Sequence, residues 1–368
     1  MNKKTALYLM HVPWAWIKQR PHFIAEFLNE NYDLQILYKL PLKVSKKNLK
    51  NKKDDKLKIS SFFVIPFKRL PILKNFGFLE VINNVLLWWQ LPSLKDREFI
   101  WLTSWSLYRF IERHLPKEAK VIWDCMDDEL EFPDIKSNPL IYAEALDNER
   151  KLMKRADIVF CSSEYLKGKV IGRSGITRAI HVLNNAIGIP TEIKAKEGIN
   201  LLGELDNIFM YAGTISSWFD FDSVIHSLNH NSTLNFLLIG PSDVSIPIHP
   251  RLHYLGTVQR EDLFWIMEKA TALTMPFQVN ELILSVNPVK LYEYIYMCKP
   301  IIASKYPETE KFNEYVYLYK NKEEFSKLAE GIIKGDSTVK KSGIEAREFA
   351  KANTWESRYK ALSAIIQP

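Results

Sequence analysis

Residues 285–300 read SVNPVKLYEYIYMCKP, an apolar helix carrying a lysine and a carboxylate that packing does not need. Asn287 is a preferred helix cap and Pro288 a preferred first helical residue, so a helix is expected to start at 288 with its free N–H groups and positive dipole end presented outward. Lys290 falls in the first turn, where a cation opposes the dipole. Helix stability does not explain it, whereas a bound anion does. Ser285 and Asn287 add polar side chains at the same end. Glu293 lies five residues past the start, roughly 7.5 Å along the axis at 1.5 Å per residue. That is about the separation of a diphosphate from the ribose diol of the same nucleotide, and a carboxylate accepts two hydroxyl donors at once. The plain alternative is a Lys290–Glu293 pair at i, i+3 on an exposed face, but Leu291, Tyr292, Tyr294, Ile295, Tyr296 and Met297 leave little exposed face.

Three further segments end apolar runs at strand-to-helix junctions, on the side where a ligand would bind, though each is bland on its own. Tyr211-Ala212-Gly213-Thr214 places a glycine where backbone N–H groups could approach a phosphate, although turns alone explain many such glycines. Gly240-Pro241 closes another run, and Met275-Pro276-Phe277 a third, where backbone and aromatic groups could frame a flat base. In the first half, Asp124, Asp127 and Asp128 stand at the end of AKVIWDCMD. Carboxylates beside an apolar run are poor packing residues; helix capping and loop solvation are the ordinary alternatives.

The elements that must position these residues alternate. Short apolar strands (ALYLMHV, DLQILY, EFIWLTS, AKVIWDCMD, ADIVFCSS, AIHVLNN, then NIFMYAGTI, LNFLLIGP, RLHYLGTV, ATALTMPF, PIIAS) are separated by amphipathic helices, which predicts α/β domains on parallel sheets. A length of 368 residues suits two domains. The stretch 186–207 lacks periodicity and mixes Gly, Pro and charge, so it marks the border. The domains are expected at 1–187 and 188–345, with a C-terminal helix over 346–368. Two such domains side by side put a cleft at the carboxyl ends of their strands, where ligands of this architecture bind.

Composition narrows the class further. An apolar fraction of 47% and a charged fraction of 25% are those of a soluble globular chain. The N-terminal apolar run is too short for a signal peptide, and no run approaches the roughly 20 apolar residues of a membrane-spanning helix. Cys125, Cys161 and Cys298 occur singly, without metal-ligand spacing, which suggests reduced packing residues in a cytosolic protein. The net charge of +7 is uneven: eight lysines stand against two aspartates between Lys43 and Lys58. This stretch is either a solvated loop or an attraction for anionic headgroups or an acidic acceptor. Aromatic and aliphatic residues follow it through Trp89, so a peripheral membrane contact through 43–91 is expected beside the alternative of a packed insertion. No recognisable nucleic-acid module accompanies the charge.

Together, Gly213, EDLFWIMEKA before ATALTMPF, and NPVKLYEYIYMCKPIIAS resemble the carboxyl half of GT-B glycosyltransferases of the large group-1, GT4-like set. QRPHF, WDCMDD, RADIVFCSS and HVLNNAIG resemble a bacterial subgroup similar to teichuronic-acid and other surface-polysaccharide glycosyltransferases. The resemblance covers almost the whole chain. It implies two Rossmann-like domains facing a central cleft, with the last helix crossing back to the first domain. A nucleotide-sugar, usually UDP- or GDP-linked and with UDP the first choice, would sit on the second domain and a saccharide or lipid-linked acceptor on the first. The nucleotide-sugar is then a substrate; no cofactor and no metal are expected, and no nucleic acid. The setting expected is the cytoplasm, with the stretch 43–91 offering a contact at the inner face of the plasma membrane. Carried over by position, Glu293 binds the ribose, while Gly213, Lys290 and the helix start at Asn287 bind the diphosphate. The family often has a second glutamate eight residues before the ribose-binding one. Here Ser285 stands there, which leaves the sugar contact and the stereochemistry open.

Glycosyl transfer requires that charge on the leaving diphosphate be stabilised and that the acceptor hydroxyl be aligned and deprotonated. Lys290, the helix start and the Gly213–Thr214 backbone address the first need, with Arg20 as a second cation. Asp127 is the first choice of base, ahead of Asp124, Asp128 and His22. Trp218 could stack on sugar or base, and Pro276 borders the base. Asp220 caps the next helix or touches the donor sugar; Asp220-Phe221-Asp222 is read as capping, not as a metal site. His11, Trp14 and Trp16 follow the first strand on the expected acceptor side, where aromatic faces suit sugar rings as well as they suit a core. A nucleotide-sugar epimerase or hydrolase of the same fold, and a non-catalytic nucleotide-sugar-binding partner, are the competing readings.

Overall fold

The computed structural model describes residues 3–40, 57–64, 78–176, 179–190, 193, 203, 205–341 and 343–367. By contacts the chain divides into two units, Met1–Leu183 with Tyr359–Pro368, and Asn184–Arg358.

The first unit holds a seven-stranded sheet: β1 Thr5–Met10, β2 Asp33–Lys39, β3 Lys58–Phe62, β4 Ile100–Leu102, β5 Val121–Cys125, β6 Ile158–Cys161 and β7 Ile180–Val182. Every pairing is parallel and the order is β3-β2-β1-β4-β5-β6-β7. Alternation along β1 sends Leu7 and Leu9 into one apolar cluster, and Ala6, Tyr8 and Met10 into another. Both faces are thus covered, as a parallel sheet requires. Ser163 caps the helix Glu164–Ser174, and Gly175, with φ of 67°, ends it.

The second unit repeats the plan with β8 Ile208–Ala212, β9 Asn235–Ile239, β10 Leu252–Tyr254, β11 Ala272–Met275, β12 Ile301–Ser304 and β13 Tyr317–Tyr319. Their order is β10-β9-β8-β11-β12-β13, again all parallel. In each sheet the strand order reverses once, between β1 and β4 and between β8 and β11. Loops diverge there and leave a crevice at the carboxyl ends. His11 and Thr103 flank the first of these points; Gly213 and Pro276 flank the second.

Strand β13, YLY, is not among the strands read from the sequence, and two further elements differ from that reading. The strand β3, KISSF, lies where only a basic stretch and an apolar one were read. The C-terminal helix is two helices, Gly343–Ala352 and Trp355–Ile366. They break because Asn353 O accepts from Ile187 N, and Trp355 N donates to Ile187 O. The second helix starts among the residues of the second unit; from Tyr359 onward it belongs to the first, where Leu362 and Ile366 join the core. Finally, most of the lysine-rich stretch (43–56), and 65–77 of the apolar stretch after it, lie outside the described residues. The helix Phe78–Gln90 that follows is described.

Candidate functional site

In the second unit the site helix is Val289–Tyr296, with Pro288 as its cap. Asn287 does not cap it. Its Oδ1 accepts from Asn185 N at 2.8 Å and its Nδ2 donates to Glu308 at 2.9 Å, so its amide ties three segments together. Ser285 is also turned inward, with its hydroxyl donating to Glu281 O.

Glu293 is 1% exposed, yet it is not the exposed pair that i, i+3 spacing alone describes. Its Oε2 accepts from Lys290 Nζ at 3.0 Å and its Oε1 from Arg260 Nη1 at 2.8 Å. Burial pushes the carboxyl up, but Lys290 and Arg260 outweigh burial and hold it below its ordinary range. Glu293 is therefore a buried, ionised carboxylate gripped on both oxygens. Arg260 was missed in the sequence because it stands one residue before the stretch read as helix, in Arg260–Glu268. A cation opening a helix, where an acid is favoured, was the available signal.

Gly213 adjoins this pair. A side chain on Gly213 would meet the Tyr211 hydroxyl at 2.6 Å and Lys290 Cε at 3.5 Å. Its own amide is spent on Ile239 O at 2.8 Å, and the Ile215 amide on Pro241 O at 2.9 Å. Thr214 is the exposed residue of the turn, and among the described residues its amide has no acceptor. The Tyr211 hydroxyl donates to Thr214 O, and the Tyr294 hydroxyl accepts from Ala212 N. The site helix thus supports the glycine turn directly. Gly240, with φ of 133°, closes under it: a Cβ there would stand 2.0 Å from Gly213 O.

Asp220 and Pro276 both have hydrogen-bonded partners within the fold. Asp220 caps Phe221–His230 by accepting from Ser223 N, and its second oxygen accepts from the Ser223 and Tyr319 hydroxyls. Pro276 is buried and its carbonyl accepts from Asp220 N; the Phe277 amide donates to Ser304 Oγ. The Pro276 carbonyl and the Phe277 amide are therefore already hydrogen-bonded within the fold. Trp218 packs against the core of the second unit.

In the first unit, Arg20 is not a free cation. It is 3% exposed and grips Asp124 through Nε and Nη2, while its Nη1 donates to Leu183 O at 2.6 Å. Asp124 is thereby structural as well, and Asp128 is held by Lys169 and Arg173. Asp127 is half-buried and its carboxylate has no hydrogen-bond partner among the described residues. Burial raises it to about 6; Arg20 pulls down, and Asp124 and Asp128 push up. Glu129, two residues on, accepts from the Ser104 hydroxyl at 2.8 Å, and burial raises it to about 8.

His22 is buried against Trp14 and its Nδ1 accepts from Gln19 N. Burial lowers it to about 4, which makes it a weak base. His11, at the switch point, bonds the Thr103 hydroxyl through Nδ1 at 2.8 Å and is likewise lowered to about 4 by burial. Trp16 is 52% exposed. Among the described residues no group of three or more His, Cys, Asp or Glu side chains is arranged to hold a metal ion.

Two Rossmann-like parallel sheets, each with its own switch point, define the GT-B fold. Over 99% of its length the chain matches the structure of Anabaena HepE in complex with UDP and glucose, covering 99% of that chain with a TM-score of 0.69 and 12% identity. Sucrose-phosphate synthase from Thermosynechococcus elongatus matches over 98% of both chains, with a TM-score of 0.67 and 12% identity. Likeness at that identity is one of fold. In sequence the chain is 25% identical over 233 residues to Bacillus subtilis TuaH, a protein named as a glycosyltransferase of teichuronic acid biosynthesis. The match takes in 58% of this chain and 57% of TuaH, so the chain spans little more than half of that relative's length. No protein-family model matches the chain.

Proposed function

We propose that the protein is a glycosyltransferase that moves a sugar from a nucleotide-diphosphate donor, UDP-linked rather than GDP-linked, to a saccharide or lipid-linked saccharide in bacterial surface-polysaccharide biosynthesis. The observation that carries this reading is the meeting of the Gly213–Thr214 turn and Lys290 beside an ionised, buried Glu293 at the switch point of the second sheet. The likeness in fold to HepE with UDP and the sequence match to TuaH support it.

In this reading Lys290 and the Thr214 backbone stabilise charge on the leaving diphosphate, and Glu293 takes the ribose hydroxyls. Asp127, whose carboxylate has no hydrogen-bond partner among the described residues and which burial raises to about 6, takes the proton of the acceptor hydroxyl. His11, Trp14 and Trp16 line the acceptor side. The helix Phe78–Gln90 and the lysine-rich sequence before it bring the protein to an anionic membrane face, where a lipid-linked acceptor would be met.

The test is thermal stabilisation by nucleotides. A ligand at a hundred times its Kd adds about 2.7 kcal/mol to a protein that binds it only when folded. UDP and a UDP-sugar should raise the melting temperature by several degrees, GDP less, and Glu293→Ala should cut the shift to about half or less. An equal response of Glu293→Ala and wild type would remove the ribose role.

A further inference from the structure

We propose that Arg260 is a positioning residue: it fixes the plane of the Glu293 carboxylate for the ribose diol of a nucleoside diphosphate and holds that carboxylate when Lys290 turns to the diphosphate. The inference rests on the nucleotide reading above and adds to it a residue and a division of labour between two cations.

The geometry separates the two. Each oxygen of Glu293 takes one cation, Oε1 from Arg260 and Oε2 from Lys290. A carboxylate oxygen offers two lone-pair sites, so one remains on each oxygen, enough for two neighbouring hydroxyls. Lys290 is a compact charge on a flexible stem, about a quarter exposed, beside the Gly213 turn. An arriving diphosphate draws it away from Glu293. A carboxylate left buried without a partner would be neutralised or displaced. Arg260 is anchored where Lys290 is not: its Nη2 donates to Gly188 O at 2.8 Å and its guanidinium lies 5.4 Å from the Phe264 ring centre. A planar fork tied at one tine to the backbone keeps the other on Oε1 in a fixed direction.

Titration calorimetry with UDP and 2′-deoxy-UDP on wild type, Arg260→Gln, Arg260→Lys and Glu293→Gln tests this. Wild type should prefer UDP about ten-fold or more, the scale of a hydroxyl bonded to a charged acceptor. Arg260→Gln should bring the ratio near parity, as Glu293→Gln does, with the affinity for 2′-deoxy-UDP within about three-fold of wild type. Arg260→Lys keeps the charge without the fork and should recover only part of the ratio; it decides the matter if Arg260→Gln does not fold. A wild-type ratio in both Arg260 variants, with the ratio lost in Glu293→Gln, would overturn the role of Arg260 and leave the ribose reading standing. Equal weakening of both nucleotides by the Arg260 variants would also overturn it. If wild type showed no preference for UDP, or if Glu293→Gln kept it, the ribose reading itself would fail and this inference with it.

Discussion

At the scale of the residue, the two carboxylates proposed to work are opposites. Glu293 is buried deeper but has two cations; Asp127 is less buried and has no hydrogen-bonding partner among the described residues. The first is held ionised, the second is raised to about 6. A base must be ionised to work, so transfer should fall as pH drops through about 6, and Asp127→Asn should lower it by roughly 10²–10⁴-fold. The same shift has a consequence that needs no acceptor. The folded carboxyl keeps its proton up to about 6, while the unfolded chain releases it near the ordinary 3.8. Between those values the folded state binds the extra proton, so this group's contribution to stability declines as pH rises through that window and is lowest above 6. Asp127→Asn removes that penalty. Melting curves should show it stabilising at pH 8 and nearly neutral at pH 4. Destabilisation at pH 8 would mean that Asp127 is a structural partner, as Asp124 and Asp128 are.

At the scale of the element, the two switch points decide where chemistry can happen, and one glycine shows how tightly the second is built. Gly240 has φ of 133°, and a Cβ there would stand 2.0 Å from Gly213 O and 2.7 Å from Gly213 C, both backbone atoms that cannot rotate aside. Gly240→Ala is therefore expected to cost on the order of 4 kcal/mol, lowering the melting temperature of the second unit by about 10 °C. It should also displace the Gly213 turn and weaken UDP binding in whatever fraction remains folded. A near wild-type melt would mean that the two loops are free to separate. How much of this was legible in the sequence follows from the range of the interactions. Strand and helix order, and the placing of Gly213, Lys290 and Glu293 together, depend on periodicity and on one turn of helix, both written locally. The partners of Asn287 are 102 and 21 positions away, and Asp124 lies 104 positions from Arg20. Local rules therefore read a cap and a free cation where the fold makes a tie and a buried ion pair. Gly240 looked like an ordinary strand-end glycine because the atom that demands it belongs to another loop. Strand β3 was missed for a different reason: KISSF, at the far edge of its sheet, has a weak apolar pattern next to a run of lysines.

At the scale of the whole molecule, the net charge of +7 and one exposed apolar stripe point to the same kind of partner. On the helix Phe78–Gln90, Ile82, Val85, Trp88 and Trp89 recur at spacings of three and four, which sets them on one side, while Asn83 and Leu87 are buried. Trp88 is 64% and Trp89 77% exposed, an unusual state for the largest apolar side chains unless something covers them. The side chain of Gln90 bonds both Phe63 N and Phe63 O, which brings the exposed Phe63 to the same end of the helix. No helix among the described residues is long and apolar enough to cross a membrane. Tryptophan at a helix edge suits the headgroup boundary, where its ring is buried and its N–H stays wet. The eight lysines of 43–58 add attraction to anionic lipid, worth about 1 kcal/mol each close to the surface and screened within a Debye length of about 8 Å at physiological salt. The two terms separate in a vesicle sedimentation assay. Binding to phosphatidylglycerol vesicles should exceed binding to phosphatidylcholine vesicles and fall steeply as salt rises. A Trp88→Ala, Trp89→Ala double variant should bind phosphatidylglycerol about ten-fold or more weakly while its UDP-induced thermal shift stays at the wild-type value. Unchanged vesicle binding in that variant would leave the lysines as the sole attraction and assign the tryptophan stripe to a protein partner; no binding of the wild type to either lipid would remove the membrane from the proposed function altogether.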